Sequence, residues 1–377
     1  MATRDSVPSS IEADSAQTDD RARHHRREEE QCRRRHRRAL VRDLDRPGIE
    51  QVAQQCQEPS VRELLRLCEG DAPLSADDLR RLGRGLANSA AARAAFTQTG
   101  DWRHRLQAIV DRLTGDDPEC QLEAAVCITN LAAGPVTTEL TGVVGGYLVT
   151  LCGSSSHRLQ EQCVWALGNL AASGAPVCAL LAAQGLPAAA VSCLKSVQGA
   201  VREAASAALA VFLTHASAGD TGALCAELLP LVTPLLSLDS PGVCFCLSAA
   251  AASPAADSLL ATAPTDLLSS VFDLLLRAAV TAEPSLTELR CLTDLLRALT
   301  HLVLTPGAAA VALRQSCAVR LLSALLRHRR RHVRRETLIL VANLLSEERG
   351  DEARIAAEEA GLPARLAPLL EEAYRMI

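Results

Sequence analysis

A chain of 377 residues that is 48% hydrophobic but only 2% aromatic must fill its core with Leu, Ala, Val and Cys, a palette that favours helices over strands. Its net charge of −5 is unevenly spread: residues 21–46 hold eleven Arg against five acids, and residues 1–20 hold five acids against one Arg. The fourteen Cys lack C-x-x-C or zinc-type spacing, which excludes a disulfide framework and points to small buried hydrophobes in a reducing compartment. No apolar segment of signal-peptide type opens the chain. Neither a P-loop, a G-x-S-x-G elbow nor an H-E-x-x-H pair is present. An all-α, non-enzymatic protein without metal or cofactor is expected.

In chain order, residues 1–20 are Ser- and Asp-rich and read as a disordered acidic tail. Residues 21–48 form an Arg-rich arm, with Arg26, Arg27, Arg33, Arg34, Arg35, Arg37 and Arg38 at its centre. Glu28–Glu30 stand at helical pairing distance from Arg33–Arg35, so the arm is disordered or helical. It has almost no apolar face and cannot bury a core alone, so it is flexible or docked on something acidic. It also has no aromatic residue, so contact with nucleic acid would rest on charge alone and carry no specificity. Residues 49–101 hold two amphipathic helices, one around Val61, Leu64, Leu65 and Leu67 and one around Leu79, Leu82 and Leu86. Ser75 ahead of Asp77 and Asp78 starts the second.

From residue 102 to 377 one pattern recurs, its last copy incomplete. The segments QLEAAVCITNLAAG (121–134), LQEQCVWALGNLAASG (159–174), VREAASAALAVFLTHASAG (201–219) and VRRETLILVANLLSEERG (333–350) are amphipathic helices with small apolar faces. Between them lie Leu/Ala-rich helix pairs broken at Gly185-Leu186-Pro187 and Gly361-Leu362-Pro363. Each Gly suits a left-handed helix end and each Pro the next helix's first turn. Asn130 and Asn169 are 39 residues apart, and His301 and Asn343 are 42 apart. That period, with three helices per unit, predicts a right-handed solenoid of the armadillo type. Residues 220–300 are less regular. Phe245 stands where Trp165 stands, Arg297 and His301 form another degenerate copy, and an insertion of about ten residues is expected near 277–290.

The stretch QCVWALGN (162–169) carries the chemistry. Leu159, Cys163, Leu167, Leu170 and Ala171 form one apolar stripe, while Trp165 and Asn169 share a neighbouring face one turn apart. An indole plate beside an amide suits an extended peptide, with a long side chain on the ring and the backbone on the amide. The competing reading makes Trp165 core and Asn169 a helix-packing amide. Through VWALGNLA (164–171) the repeats resemble those of importin-α, where paired Trp and Asn line the concave groove. The arm-plus-array layout is similar, more narrowly, to the transmembrane and coiled-coil domain-containing protein 6 family.

The resemblance implies an adaptor of nuclear import, present in cytoplasm and nucleus. Its arm would bind an importin-β-like carrier, and its groove (Trp165, Asn169, Asn130, Asn343) would take cargo proteins with basic or extended peptides. The ladder is incomplete: Val126 and Ile339 pair with Asn130 and Asn343, and Ala207 with Val211 replaces the Trp and Asn. A general armadillo scaffold is therefore the alternative. A membrane-associated protein is a further one, because Gln162–Leu194 has no charged residue. The basic run RHRRRHVRR (327–335) joins two helices and reads as a solvated turn, an anionic-lipid contact or a nuclear-localisation-like patch. His24, His25, His36, His328 and His332 lie in Arg runs and are expected to be solvated.

Overall fold

Ser75 does start a helix. Its hydroxyl accepts the Asp78 N–H and the Asp78 carboxylate accepts the Ser75 N–H, a closed capping box. The computed structural model describes residues 61–375 apart from 71, 99, 135–137, 254–265, 306 and 347–349. The acidic tail 1–20 and the Arg-rich arm 21–48 lie outside the described residues.

The first described helices are α1 (Val61–Leu67) and α2 (Ala76–Asn88). They are followed by α3 (Ala90–Gln98), α4 (Trp102–Leu113) and α5 (Pro118–Ala132), then α6 (Thr138–Leu151) and α7 (His157–Ala171). Next come α8 (Ala175–Ala183), α9 (Leu186–Leu194) and α10 (Gly199–Leu213), and then α11 (Ala218–Val232) and α12 (Pro241–Ala251). α13 (Leu267–Val280) precedes α14 (Leu286–Leu302). The last described helices are α15 (Ala308–Leu313), α16 (Ala318–Leu326), α17 (Arg331–Leu344), α18 (Gly350–Glu359) and α19 (Leu362–Arg375). No strand occurs among the described residues.

The helix that ends each unit packs on its counterpart in the next. α2 meets α5, α5 meets α7, α7 meets α10, α10 meets α12, α12 meets α14 and α14 meets α17. These seven make one wall. The shorter helices stack as a second layer, with α6 on α8, α13 on α16, α15 on α18 and α16 on α19. Each unit buries its apolar face only against its neighbours, the arrangement of a right-handed armadillo-type solenoid.

Two expectations need correction. Residues 49–101 were expected to hold two helices, yet α1, α2 and α3 all fall there, and α2 already belongs to the wall. The insertion near 277–290 is absent, because only residues 281–285 separate α13 from α14. The wall-helix N-caps Asp117, Ser156, Gln198, Ser240, Ser285 and Arg330 are spaced by 39, 42, 42, 45 and 45 residues. The extra length is thus spread a few residues per unit.

The Gly-Leu-Pro breaks behave as read. Gly185 (φ +95) and Gly361 (φ +63) are left-handed, a conformation that lacks the Cβ clash only in glycine. At Gly185 the chain turns by 77° between α8 and α9. Val177, Cys178, Leu181, Leu186, Ala190 and Val191 from this uncharged stretch are buried. Among the described residues no single helix is long and apolar enough to cross a membrane, and α8 with α9 meets the criterion only as this bent pair.

Close approach along the wall depends on small residues. A Cβ on Gly168 of α7 would lie 3.1 Å from the Cα and Cβ of Ala208 on α10, and a backbone atom cannot step aside. Gly142 on α6 is exposed, and nothing would meet its Cβ within 4 Å. Gly168→Ala is therefore expected to destabilise the fold by about 1–3 kcal/mol although alanine is the better helix former. Gly142→Ala is expected to stabilise it by about 0.5–1 kcal/mol. Denaturant unfolding of the two variants beside the parent checks the sign of each.

Candidate functional site

One face of the wall is covered by the outer helices and the other is open. On α7 the apolar stripe of Leu159, Cys163, Leu167, Leu170 and Ala171 is buried. Glu161, Trp165 and Asn169, four residues apart, are only half-buried. The same half-buried file continues as Glu123, Val126 and Asn130 on α5, and as Glu203, Ala207 and Val211 on α10. It runs on through Phe245 on α12, Arg297 and His301 on α14, and Glu336, Ile339 and Asn343 on α17. Three- and four-residue spacing puts each set on one helical face.

The three asparagines share one structural task. Asn130 donates its side-chain N–H to the Gly83 carbonyl at 2.9 Å, Asn169 to that of Thr129 at 3.1 Å and Asn343 to that of Thr300 at 3.1 Å. Each bond ties a wall helix to the one before it, and at Thr129 and Thr300 it satisfies a last-turn helical carbonyl. An amide has a second N–H and a two-lone-pair oxygen. In Asn169 these have no partner among the described residues, and neither does the Trp165 indole N–H or the Glu161 carboxylate. The packing bond thus holds the Asn169 amide in one orientation and leaves its other polar atoms for a ligand. Glu161 is a site residue that the sequence reading missed, although its spacing of four from Trp165 was visible.

Towards the C-terminal end the file changes from apolar plates to charge. Arg297 pairs with Glu336 of α17 at 3.1 Å and stands 3.9 Å from Asp294. Asp294 is buried, and burial pushes its carboxyl from 3.8 to about 7 against the pull of Arg297 and Arg290. Glu203 accepts the backbone N–H of Gly242 at the start of α12. Its carboxyl is also raised by burial, with that N–H, the Val243 N–H and Arg290 opposing. The positive charge of Arg290 thus opposes the upward shift of both carboxyls. Asp294, Arg297 and Glu336 form an ion-pair cluster across α14 and α17, with the Arg290 charge acting on it and on Glu203 of α10, that no repeat pattern announced.

At the opposite end Arg80 of α2 bonds Glu119 and Glu123 of α5, the latter at 3.1 Å. The twelve described cysteines are free and eleven are buried. They pack as the small hydrophobes expected, and burial pushes the thiols of Cys68, Cys163 and Cys246 up to about 12. His332 is exposed as expected. His328 is not: it is 6% exposed, because the turn before α17 folds its ring inward. The arm residues Arg26, Arg27, Arg33, Arg34, Arg35, Arg37 and Arg38 lie outside the described residues.

This is an armadillo-type scaffold whose open wall presents a Glu–Trp–Asn file. Residues 147–172, from the last turn of α6 through α7, match the family profile of the armadillo/beta-catenin-like repeat. A probable importin subunit alpha-A of Dictyostelium discoideum is 37% identical over 60 residues, which is 15% of this chain and 11% of that protein. Importin subunit alpha-2 of Arabidopsis thaliana is 46% identical over 68 residues, which is 16% of this chain and 12% of that one. The chain spans about a tenth of the length of the curated relatives it matches. The crystal structure of an engineered protein superposes with a TM-score of 0.62 over 76% of this chain and 68% of that chain, at 22% identity, a likeness of fold.

The raised Asp294 carboxyl makes a pH prediction. The folded protein holds this proton up to about pH 7, whereas an unfolded Asp releases it near 3.8. Between those values the folded state binds more protons, so this group's contribution to stability falls as pH rises. Glu203, raised in the same direction, adds to the slope. Asp294→Asn is expected to reduce the loss of melting temperature between pH 5 and pH 8, measured by circular dichroism.

Proposed function

We propose that this protein is a non-enzymatic adaptor of the importin-α-like kind, holding an extended peptide segment of a cargo protein on its open wall. The observation that carries the reading is the file Glu161–Trp165–Asn169 on α7. There a flat indole, an unpaired carboxylate and an amide with free donor and acceptor lie half-exposed in one line. A Lys or Arg side chain laid across Trp165 gains about 0.5–2 kcal/mol of cation–π attraction. Glu161 adds a charged partner for the same group, and Asn169 bonds the peptide backbone. The local identity to two importin-α subunits covers only short stretches, and supports this site more than the whole protein's role.

The rest of the proposal extends to the transmembrane and coiled-coil domain-containing protein 6 family, with the Arg-rich arm 21–48 engaging an importin-β-like carrier and the protein moving between cytoplasm and nucleus. The α8–α9 pair of the uncharged stretch is bent by 77° and packs Val177, Cys178, Leu181, Leu186, Ala190 and Val191 into the core, which supports the adaptor over the membrane-associated alternative. One observation favours a second reading. Only α7 carries the full Trp–Asn pair, and α14 offers Arg297 and His301 in the same file. A groove reading one or two side chains suits a general scaffold as well as a transport adaptor.

Trp165→Ala is expected to weaken binding of a fluorescent Lys/Arg-rich extended peptide about tenfold, whereas Asn169→Ala is expected to weaken binding and also lower the melting temperature, because it removes the bond to the Thr129 carbonyl. Replacing Arg33, Arg34, Arg35, Arg37 and Arg38 by Ala is expected to abolish capture on immobilised importin-β while leaving peptide binding intact. Undiminished capture would leave the scaffold reading standing.

A further inference from the structure

The run 327–335 is a built turn. α16 ends at Leu326 and α17 begins at Arg331. Between them the buried Arg334 donates from Nη1 to the carbonyls of His328 at 2.8 Å and Arg329 at 3.2 Å. The buried His328 accepts the Arg330 backbone N–H on Nδ1 at 3.2 Å. With those two side chains folded in, Arg327, Arg329, Arg330, Arg331 and Arg335 are all exposed. Their guanidinium groups have no hydrogen-bond or ion-pair partner among the described residues. By contrast, Arg80, Arg105, Arg297 and Arg354 are each paired with an acid. The first turn of α17 contains no acidic residue. Five like charges held within two helical turns and a loop repel one another, and an anion relieves that repulsion.

The surroundings decide which anion. The wall helices next along this edge start with acids, Glu283 and Glu288 at α14 and Asp239 before α12, as do α2 and α5 with Asp77, Asp78, Asp117 and Glu119, whereas α7 and α10 start without one. A long polyanion such as nucleic acid, following this edge, would run from the Arg turn onto carboxylates. A short ligand with concentrated charge fits the footprint. Guanidinium forks match phosphate oxygens two at a time, and a phosphoryl group carries nearly two charges on three acceptors. We propose that the turn 327–335 docks a short phosphorylated segment of a partner protein, on a surface separate from the open wall. Arg329, Arg330 and Arg331 at the N-terminus of α17 supply the central contacts, with Arg327 and Arg335 flanking them. Arg334 and His328 are positioning residues that hold the loop.

The test uses the full chain and a short fluorescent peptide carrying two adjacent phosphoserines, followed by anisotropy. The same peptide with unmodified serines, a single-stranded DNA of random sequence and phosphatidylserine vesicles serve as the other arms. The doubly phosphorylated peptide is expected to bind and to lose about tenfold or more in affinity in R329A/R330A/R331A. Arg335→Ala, a single exposed change, is expected to weaken it by a smaller factor. Replacing Arg33, Arg34, Arg35, Arg37 and Arg38 of the arm by Ala is expected to leave this triple-variant loss in place, which separates the turn from the arm. Absence of phosphopeptide binding, binding unchanged in both turn variants, or tighter binding of DNA or vesicles through the same three arginines would overturn the proposal.

Discussion

Everything in this fold depends on how closely one wall helix lies against the next. Gly168 lets α7 approach the Ala208 backbone of α10, and the asparagine amides on α5, α7 and α17 bond the carbonyls of the helices before them. The Thr129 hydroxyl donates its one proton chiefly to the Ala125 carbonyl of its own helix at 2.8 Å and shares it with the Gln162 carbonyl of α7 at 3.3 Å. Short side chains and cross-helix bonds set the wall, and the wall in turn leaves one file of residues half-exposed. The asparagines therefore have two uses that do not compete. One N–H stitches the helices, and at Asn169 the remaining atoms are left for a ligand.

Much of this was legible in the residues. The period near 40 residues, the Gly-Leu-Pro breaks and the Ser75 cap are local signals, fixed by backbone sterics and hydrogen-bond need. Each appears in the structure at its residue. What was not legible was relational. The supposed insertion near 277–290 came from forcing one period on 220–300, whereas the unit simply lengthens by three residues at Ser240 to Ser285 and again at Ser285 to Arg330. The burial of His328 depends on how Arg334 folds the loop, which composition cannot show. The pairing of Arg297 with Glu336 joins residues 39 apart in sequence, and only stacking of α14 on α17 brings them together. Asp294 looks like any helical Asp until the neighbouring helices remove its water.

The two ends of the wall differ in chemistry. Around α7 the file is aromatic and amide, suited to a flat contact with a peptide. Around α14 and α17 it is charged and internally paired, so a ligand there must exchange with existing ion pairs, which weakens binding unless it supplies charge of its own. The C-terminal part of the wall is tied by its own Arg297–Glu336 ion pair as well as by the Asn343 bond to Thr300. The basic turn 327–335 lies at the edge of this charged part, outside the file.

The measurement that bears most directly on the open wall is the solvent access of Trp165 with Trp102 replaced by Phe, leaving one tryptophan as reporter. Acrylamide is expected to quench its fluorescence to a degree between that of a free indole and a buried one, and an extended basic peptide is expected to protect it. Emission that acrylamide cannot reach, unchanged by peptide, would place the indole in the core and contradict a wall left free for a ligand.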